Sequence, residues 1–158
     1  MYKIMFLVDT SNGDKMKENK DTLDELNKGC AMGMDAIDNI LDKVESKELK
    51  EVLEDEYDKY KKMHQRIEKI YPKYAEGEPT ETSAMNKVMT SWMTDMKLMT
   101  DHSDGKIAEL LSQGVNMGII EGRRLLNHKE HLDKEVEEIL SEYVEMQERS
   151  VEIYKQYL

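Results

Sequence analysis

Apolar residues recur at alternating spacings of three and four along most of the chain, as they do in helices that pack into bundles. In the first such segment, residues 18–44, the apolar seam consists of Leu23, Leu26, Cys30, Gly33, Ile37, Ile40 and Val44. The pattern predicts an amphipathic helix, helix A. Ser46 follows it in a short polar turn and is a suitable N-cap for a second helix, helix B, over residues 47–74.

The same spacing continues in the second half of the chain. It predicts a shorter helix over residues 81–100, helix C over 103–128 and helix D over 131–158. One carboxylate lies on the seam of helix B and one on the seam of helix C: Glu56 and Glu121. The seams are otherwise mostly apolar or aromatic, so each helix is expected to bury one face against the others.

The lengths of the connections predict how the helices are arranged. A and B, like C and D, are joined by short turns, so each pair should form an antiparallel hairpin. B and C are separated by a loop and the shorter helix, a crossover over residues 77–102. We therefore predict an all-α, four-helix bundle over residues 18–158. Residues 1–17 form an N-terminal extension that could be disordered, a short strand or a helix lead-in.

Helices A and C each carry Gly-x-x-Met-Gly in their middle, at Gly29/Gly33 and Gly114/Gly118. A glycine inside a helix costs about 1 kcal/mol relative to alanine, so four of them need a structural reason. The two segments align at an offset of 85 residues, as expected for two hairpins related by a pseudo-twofold axis. We expect the glycines to let helices A and C pack closely. The alternative is that they clear space for a ligand.

Charge and composition exclude some partners. The net charge is −11 and 36% of the residues are charged, which argues against nucleic acid and against an anionic membrane surface as partners. Cys30 is the single cysteine, so no disulfide can form within the chain, as is compatible with a reducing cytoplasm. Its position on the seam of helix A favours a buried, inert thiol.

The order of elements resembles the ferritin-like superfamily, with two helical hairpins, a helical crossover and a pseudo-twofold. "SDGKIAELLSQGVNMGIIEGRRLLNH" and "LDELNKGCAMGMDAIDNIL" resemble the third and first helices of small bacterial ferritin-like domains of unknown function. The resemblance implies a ferritin-like fold over residues 20–158. It also implies that any metal site would take a glutamate from helices A and C and Glu-x-x-His from helices B and D.

The chain departs from that ligand pattern, because helices B and D contain no Glu-x-x-His and helix A has no carboxylate on its seam. Glu56 and Glu121 are the remaining metal candidates. A buried carboxylate must be paired, hydrogen-bonded or metal-bound, so the alternatives are a bond to tyrosine or Lys59, a one-metal site, or exposure through helix rotation. Methionines of the crossover could bind copper, although an apolar stripe over the bundle is favoured.

These observations favour a non-catalytic ferritin-like bundle with a scaffold or interaction role and no cofactor. The alternative is a degenerate ferritin-like protein that binds iron, manganese or copper, or an oxidoreductase. A homodimer formed through the methionine-rich crossover is also expected, whereas the sequence names no other protein partner.

Overall fold

The structure is a computed structural model that describes the backbone of residues 2–79 and 87–158, and the side chains of these ranges from residue 12 onward. The fold of this described part is all-helical. This part contains five α-helices, two short 3-10 turns and no strand. The helices are α1 (Tyr2–Ile40), α2 (Lys47–Ile70), α3 (Lys87–Leu98), α4 (Asp104–His128) and α5 (Lys134–Lys155). The 3-10 turns, Leu41–Lys43 and Tyr71–Lys73, follow α1 and α2 directly.

Serine N-caps fix the starts of two helices where the sequence predicts them. The Ser46 hydroxyl accepts a hydrogen bond from the Leu49 N–H at 3.2 Å, and α2 begins at the next residue. The Ser103 hydroxyl accepts one from the Lys106 N–H at 3.3 Å, and α4 begins one residue later than predicted. Each cap satisfies an amide that has no partner within its helix.

Helix α1 begins much earlier than predicted, at Tyr2 instead of residue 18. The backbone of residues 2–17 is helical and continues directly into predicted helix A. Its contacts with the turn before α5 explain part of this. Lys15 pairs with Asp133 at 2.8 Å, and the Asn19 side chain accepts the Asp133 N–H at 2.9 Å. The spacing of apolar residues along the chain does not predict these long-range contacts.

The crossover helix ends at Leu98, two residues before the predicted end at residue 100, and its described part, α3, runs over Lys87–Leu98. The start of the predicted helix, residues 81–86, lies outside the described residues. Helix α3 packs against α1 and α4. It therefore covers the place where those two helices meet.

Helices α1, α2 and α5 bury most of the seams that the pattern predicts, whereas α4 leaves Glu121 of its predicted seam partly exposed. Helix α1 packs against α2, α4 packs against α5, and between these pairs α1 contacts α4 and α5 while α2 contacts α5. The seam of helix B, on which the sequence places Glu56, is buried along its whole length and consists of Leu49, Leu53, Glu56, Tyr60, Met63, Ile67, Ile70 and Tyr74. None of the described helices is both long and apolar enough to cross a membrane.

Candidate functional site

A cavity of about 410 Å³ lies where α1, α3 and α4 meet. All four glycines singled out from the sequence line it: Gly29, Gly33, Gly114 and Gly118. Apolar side chains form most of the remaining wall, including Leu26, Met32, Ile37, Trp92, Leu111, Val115 and Met117. Its size falls within the range of small-molecule sites in proteins, about 300–1,000 Å³.

A buried chain of polar side chains forms one side of the cavity. The Tyr60 hydroxyl of α2 donates a hydrogen bond to the Gln147 side-chain oxygen of α5 at 2.8 Å. Gln147 also hydrogen-bonds the Tyr143 hydroxyl, which lies one turn earlier on α5. Burial raises the pKa of both tyrosines, so both stay neutral well above physiological pH. The cavity is therefore apolar with a small number of fixed polar groups.

Aromatic side chains from other helices occupy the space that the glycines leave. A Cβ added at Gly33 would lie 2.5 Å from Cζ of Tyr60, and one added at Gly29 would overlap the Tyr143 hydroxyl. Gly114 is covered in the same way by the ring of Trp92. Each of these rings can pack against a helix backbone only because no side chain stands there.

The prediction that these glycines pack helix A against helix C at the glycine positions was therefore wrong. The nearest groups to Gly33 and Gly118 are side chains of α2 and α5, not the backbone of the opposite glycine helix. The equivalence suggested by the repeat is also not kept in these contacts, because Gly29 faces a tyrosine of α5 whereas Gly114 faces a tryptophan of α3. The glycines serve packing and cavity formation together, which the sequence treated as alternatives.

Trp92 closes the cavity from the side of α3. Its indole N–H donates to the Leu110 carbonyl oxygen of α4 at 2.7 Å, and its side chain is buried. Val88 and Met89, one turn before it, line the same cavity. Trp92 is the single tryptophan of the chain, so its fluorescence reports directly on the cavity.

The two metal candidates lie in different surroundings. The Glu56 carboxylate is buried, accepts a hydrogen bond from the Ser150 hydroxyl of α5 and pairs with Lys59 at 2.9 Å. The Glu121 side chain is 45% exposed and pairs with Arg124 at 2.9 Å. Glu121 thus does not occupy the buried seam position predicted for it, because α4 turns Val115 and Gly122 inward instead. Among the described residues no group of three or more His, Cys, Asp or Glu could hold a metal ion.

Cys30 and the crossover methionines lie in the apolar interior. Cys30 is fully buried, and burial raises the pKa of its thiol from 9.0 to about 12. Met96 and Met99 are buried, and Met93 packs against the core. Met85 lies outside the described residues. In the described crossover, methionine therefore serves as an apolar cover for the bundle.

Sequence reasoning missed two polar residues of the cavity, Gln147 and Lys28. Gln147 lies one turn after Tyr143 and one turn before Ser150 on the inner face of α5, so a wider inner stripe would have included it. Lys28 is only 7% exposed and lines the cavity beside Gly29. No local pattern marks it, since lysine is expected on a solvated face.

Comparison of the chain with protein families, with curated proteins and with solved structures finds no match.

Proposed function

We propose that the protein is a non-catalytic, ferritin-like helical bundle that binds a small apolar molecule in the cavity between α1, α3 and α4. The observation that carries the proposal is the cavity of about 410 Å³, which four helix-interior glycines border and a buried tryptophan closes. The interaction role expected from the sequence is then the binding of a small molecule.

The contacts between helices support the ferritin-like arrangement. The sequence-adjacent pairs α1–α2 and α4–α5 would be the two hairpins, and α1–α4 and α2–α5 are the contacts between them. Helix α3 lies in the connection between the hairpins, where a ferritin-like crossover would run. A buried, unreactive Cys30 also suits the cytoplasmic location that we propose.

The proposal is tested with Trp92 fluorescence. An apolar dye or a medium-chain alcohol that enters the cavity should shift or quench the emission with saturation at one molecule per chain. Val115→Phe places a larger side chain on the cavity wall and should abolish the response. Val52→Phe is the matched control, because Val52 packs against the core but does not line the cavity.

Saturable binding that survives Val115→Phe, with both variants folded by circular dichroism, would place the ligand elsewhere and refute the proposal. So would the absence of any response to a panel of apolar probes that differ in length and shape.

The metal-binding alternative makes a separate prediction. A degenerate metal protein or oxidoreductase should carry stoichiometric iron, manganese or copper when it is purified without chelator, and should lose it in Glu56→Gln or Glu121→Gln. We expect no such metal, because Glu56 is already bonded to Ser150 and Lys59. Metal that is lost in either variant would contradict the non-catalytic proposal.

We also propose that two copies associate through the crossover helix. Leu98 and Val88 of α3 are 73% and 64% exposed, which leaves apolar surface on this helix. Sedimentation at micromolar concentration should show twice the 18.5 kDa mass of one chain. A single 18.5 kDa species would contradict the dimer and leave the cavity proposal untouched.

A further inference from the structure

We propose that the ligand of this cavity is an amphipathic anion, with an apolar body in the glycine-lined space and a carboxylate or similar group held by Lys28. The inference rests on the proposed binding function and adds the chemical class of the ligand.

Lys28 is an unusual residue for the inner side of a helix. It lines the cavity, it is only 7% exposed, and it makes no ion pair with any residue in the described ranges. A lysine is rarely buried to this extent unless it is paired, and the Lys28 ammonium, which still touches solvent, has no such pair in those ranges. An anion in the cavity would supply the missing partner.

The other charges around the cavity do not play this role. Arg124 and Glu121 are paired with each other at 2.9 Å, and their side chains are 62% and 45% exposed. Glu25 lies one turn before Lys28 but is not within ion-pair distance of it, and its side chain is partly open to solvent. Lys28 is therefore the mostly buried charged residue of the cavity that has no ion pair among the described residues.

A second donor lies close to Lys28. The Tyr143 hydroxyl packs against Gly29, the next residue of α1. The Gln147 side-chain oxygen accepts from Tyr60, so its amide nitrogen is the group that donates to the Tyr143 hydroxyl. The hydroxyl proton of Tyr143 then remains for another acceptor. One oxygen of a ligand carboxylate could accept it while the ammonium of Lys28 binds the same group.

The chemistry favours a ligand with one anionic end. Methionine, leucine, valine and tryptophan side chains form the larger part of the wall and offer no partner to a second charged group. A flexible, apolar chain suits the two methionines Met32 and Met117, since their side chains adapt to irregular shapes. A compact, highly charged metabolite would not match this wall.

The test compares three probes with the same body and different heads: decanoate, decanol and decylammonium. Trp92 fluorescence gives the affinity of each for the intact protein. We expect decanoate to bind on the order of tenfold more tightly than decanol, because a hydrogen bond to a charged group contributes more than a neutral one. Decylammonium should bind most weakly.

Variants assign the preference to Lys28. Lys28→Met should reduce decanoate affinity to that of decanol and leave decanol binding within about twofold, whereas Lys28→Arg should retain the preference. Lys17→Met is the matched control. Lys17 is an exposed residue of the same helix, and its loss changes the net charge by the same amount. The probe comparison on the unmodified protein tests the inference even if Lys28→Met fails to fold.

The outcomes separate the two proposals. Equal binding of decanoate and decanol would overturn the role of Lys28 and leave small-molecule binding standing; the ammonium would then reach water along its apolar stem. Preference for decylammonium would overturn the inference as well, with Glu25 as the selecting charge. If none of the three probes binds, both this inference and the proposed function are refuted.

Discussion

Gly33→Ala is the substitution whose effect the structure predicts most sharply. The new methyl group would lie 2.5, 2.6 and 2.8 Å from three ring atoms of Tyr60, all closer than real Cβ contacts. The ring cannot easily move away, because Tyr60 is 4% exposed and its hydroxyl is bonded to Gln147. The methyl group therefore forces a shift of a buried, hydrogen-bonded side chain.

One stabilising term and two destabilising terms decide the magnitude. Alanine gains about 1 kcal/mol of helix propensity over glycine, whereas overpacking of a buried site typically costs about 1–3 kcal/mol. Displacement of the Tyr60 hydroxyl from its buried acceptor adds about 1–3 kcal/mol. The net expectation is a loss of about 1–5 kcal/mol in the free energy of unfolding. That is a substantial part of the roughly 5–15 kcal/mol that stabilises a typical domain.

Urea denaturation followed by circular dichroism measures this loss, and Gly13→Ala provides the control in the same helix. A Cβ at Gly13 has nothing within 4 Å, so alanine there should stabilise by up to about 1 kcal/mol. If Gly33→Ala stabilises as much as Gly13→Ala, the ring of Tyr60 does not pack on the glycine and the reasoning is wrong.

The double variant with Gly118→Ala tests the coupling through the polar chain. At Gly118 the added Cβ would lie 3.0 Å from the Gln147 amide nitrogen, a tight contact that a small shift relieves. We expect Gly118→Ala alone to change the free energy of unfolding by less than about 1 kcal/mol, because the gain in helix propensity and the cost of crowding nearly cancel. Since Gln147 is bonded to Tyr60, the two substitutions should be non-additive by at least about 0.5 kcal/mol. If the two changes in free energy simply add in the double variant, Gly33 and Gly118 are not coupled through Tyr60 and Gln147.

Further predictions concern the buried groups and the loop. Burial raises the pKa of Cys30 to about 12, so at pH 8 thiol reagents should modify it only after unfolding; rapid reaction of the folded protein would contradict its burial. Because of the same pKa shift, the Cys30 thiol loses its proton at a lower pH in the unfolded state than in the folded state, so the free energy of unfolding should fall above about pH 9. A free energy of unfolding that stays constant up to about pH 11 would contradict this. Ser150→Ala removes a partner of buried Glu56 and should cost about 1–3 kcal/mol in urea denaturation, whereas a neutral effect would place that carboxylate in water. Gly77 has φ of 81°, so Gly77→Ala should cost about 1 kcal/mol, and a stabilising result would exclude that conformation.

The sequence predicts the helices well because burial of one apolar stripe is a local property of each. Helix α2 shows this, since its cap at Ser46 and its whole seam follow from spacing and residue type. The extension of α1 to Tyr2 could not be predicted in the same way. The contacts that hold Lys15 and Asn19 are made to residue 133, more than a hundred positions away.

The cavity could be predicted only in part. The glycines mark where side chains are missing, and this signal located the site on two helices. What fills the space depends on how α2, α3 and α5 are placed around those helices, which no periodicity encodes. Tyr60, Tyr143 and Trp92 therefore became visible as neighbours of the glycines only in three dimensions.

The most direct test of the central claim is a crystal structure of the protein grown with 10-bromodecanoate, measured at the bromine absorption edge. Binding in the cavity predicts an anomalous bromine peak in the space bordered by Trp92 and Gly33, with the carboxylate at Lys28. The opposite result would be bromine peaks confined to other surfaces while the protein's own side chains fill the cavity. That result would contradict the account of a small-molecule site between α1, α3 and α4.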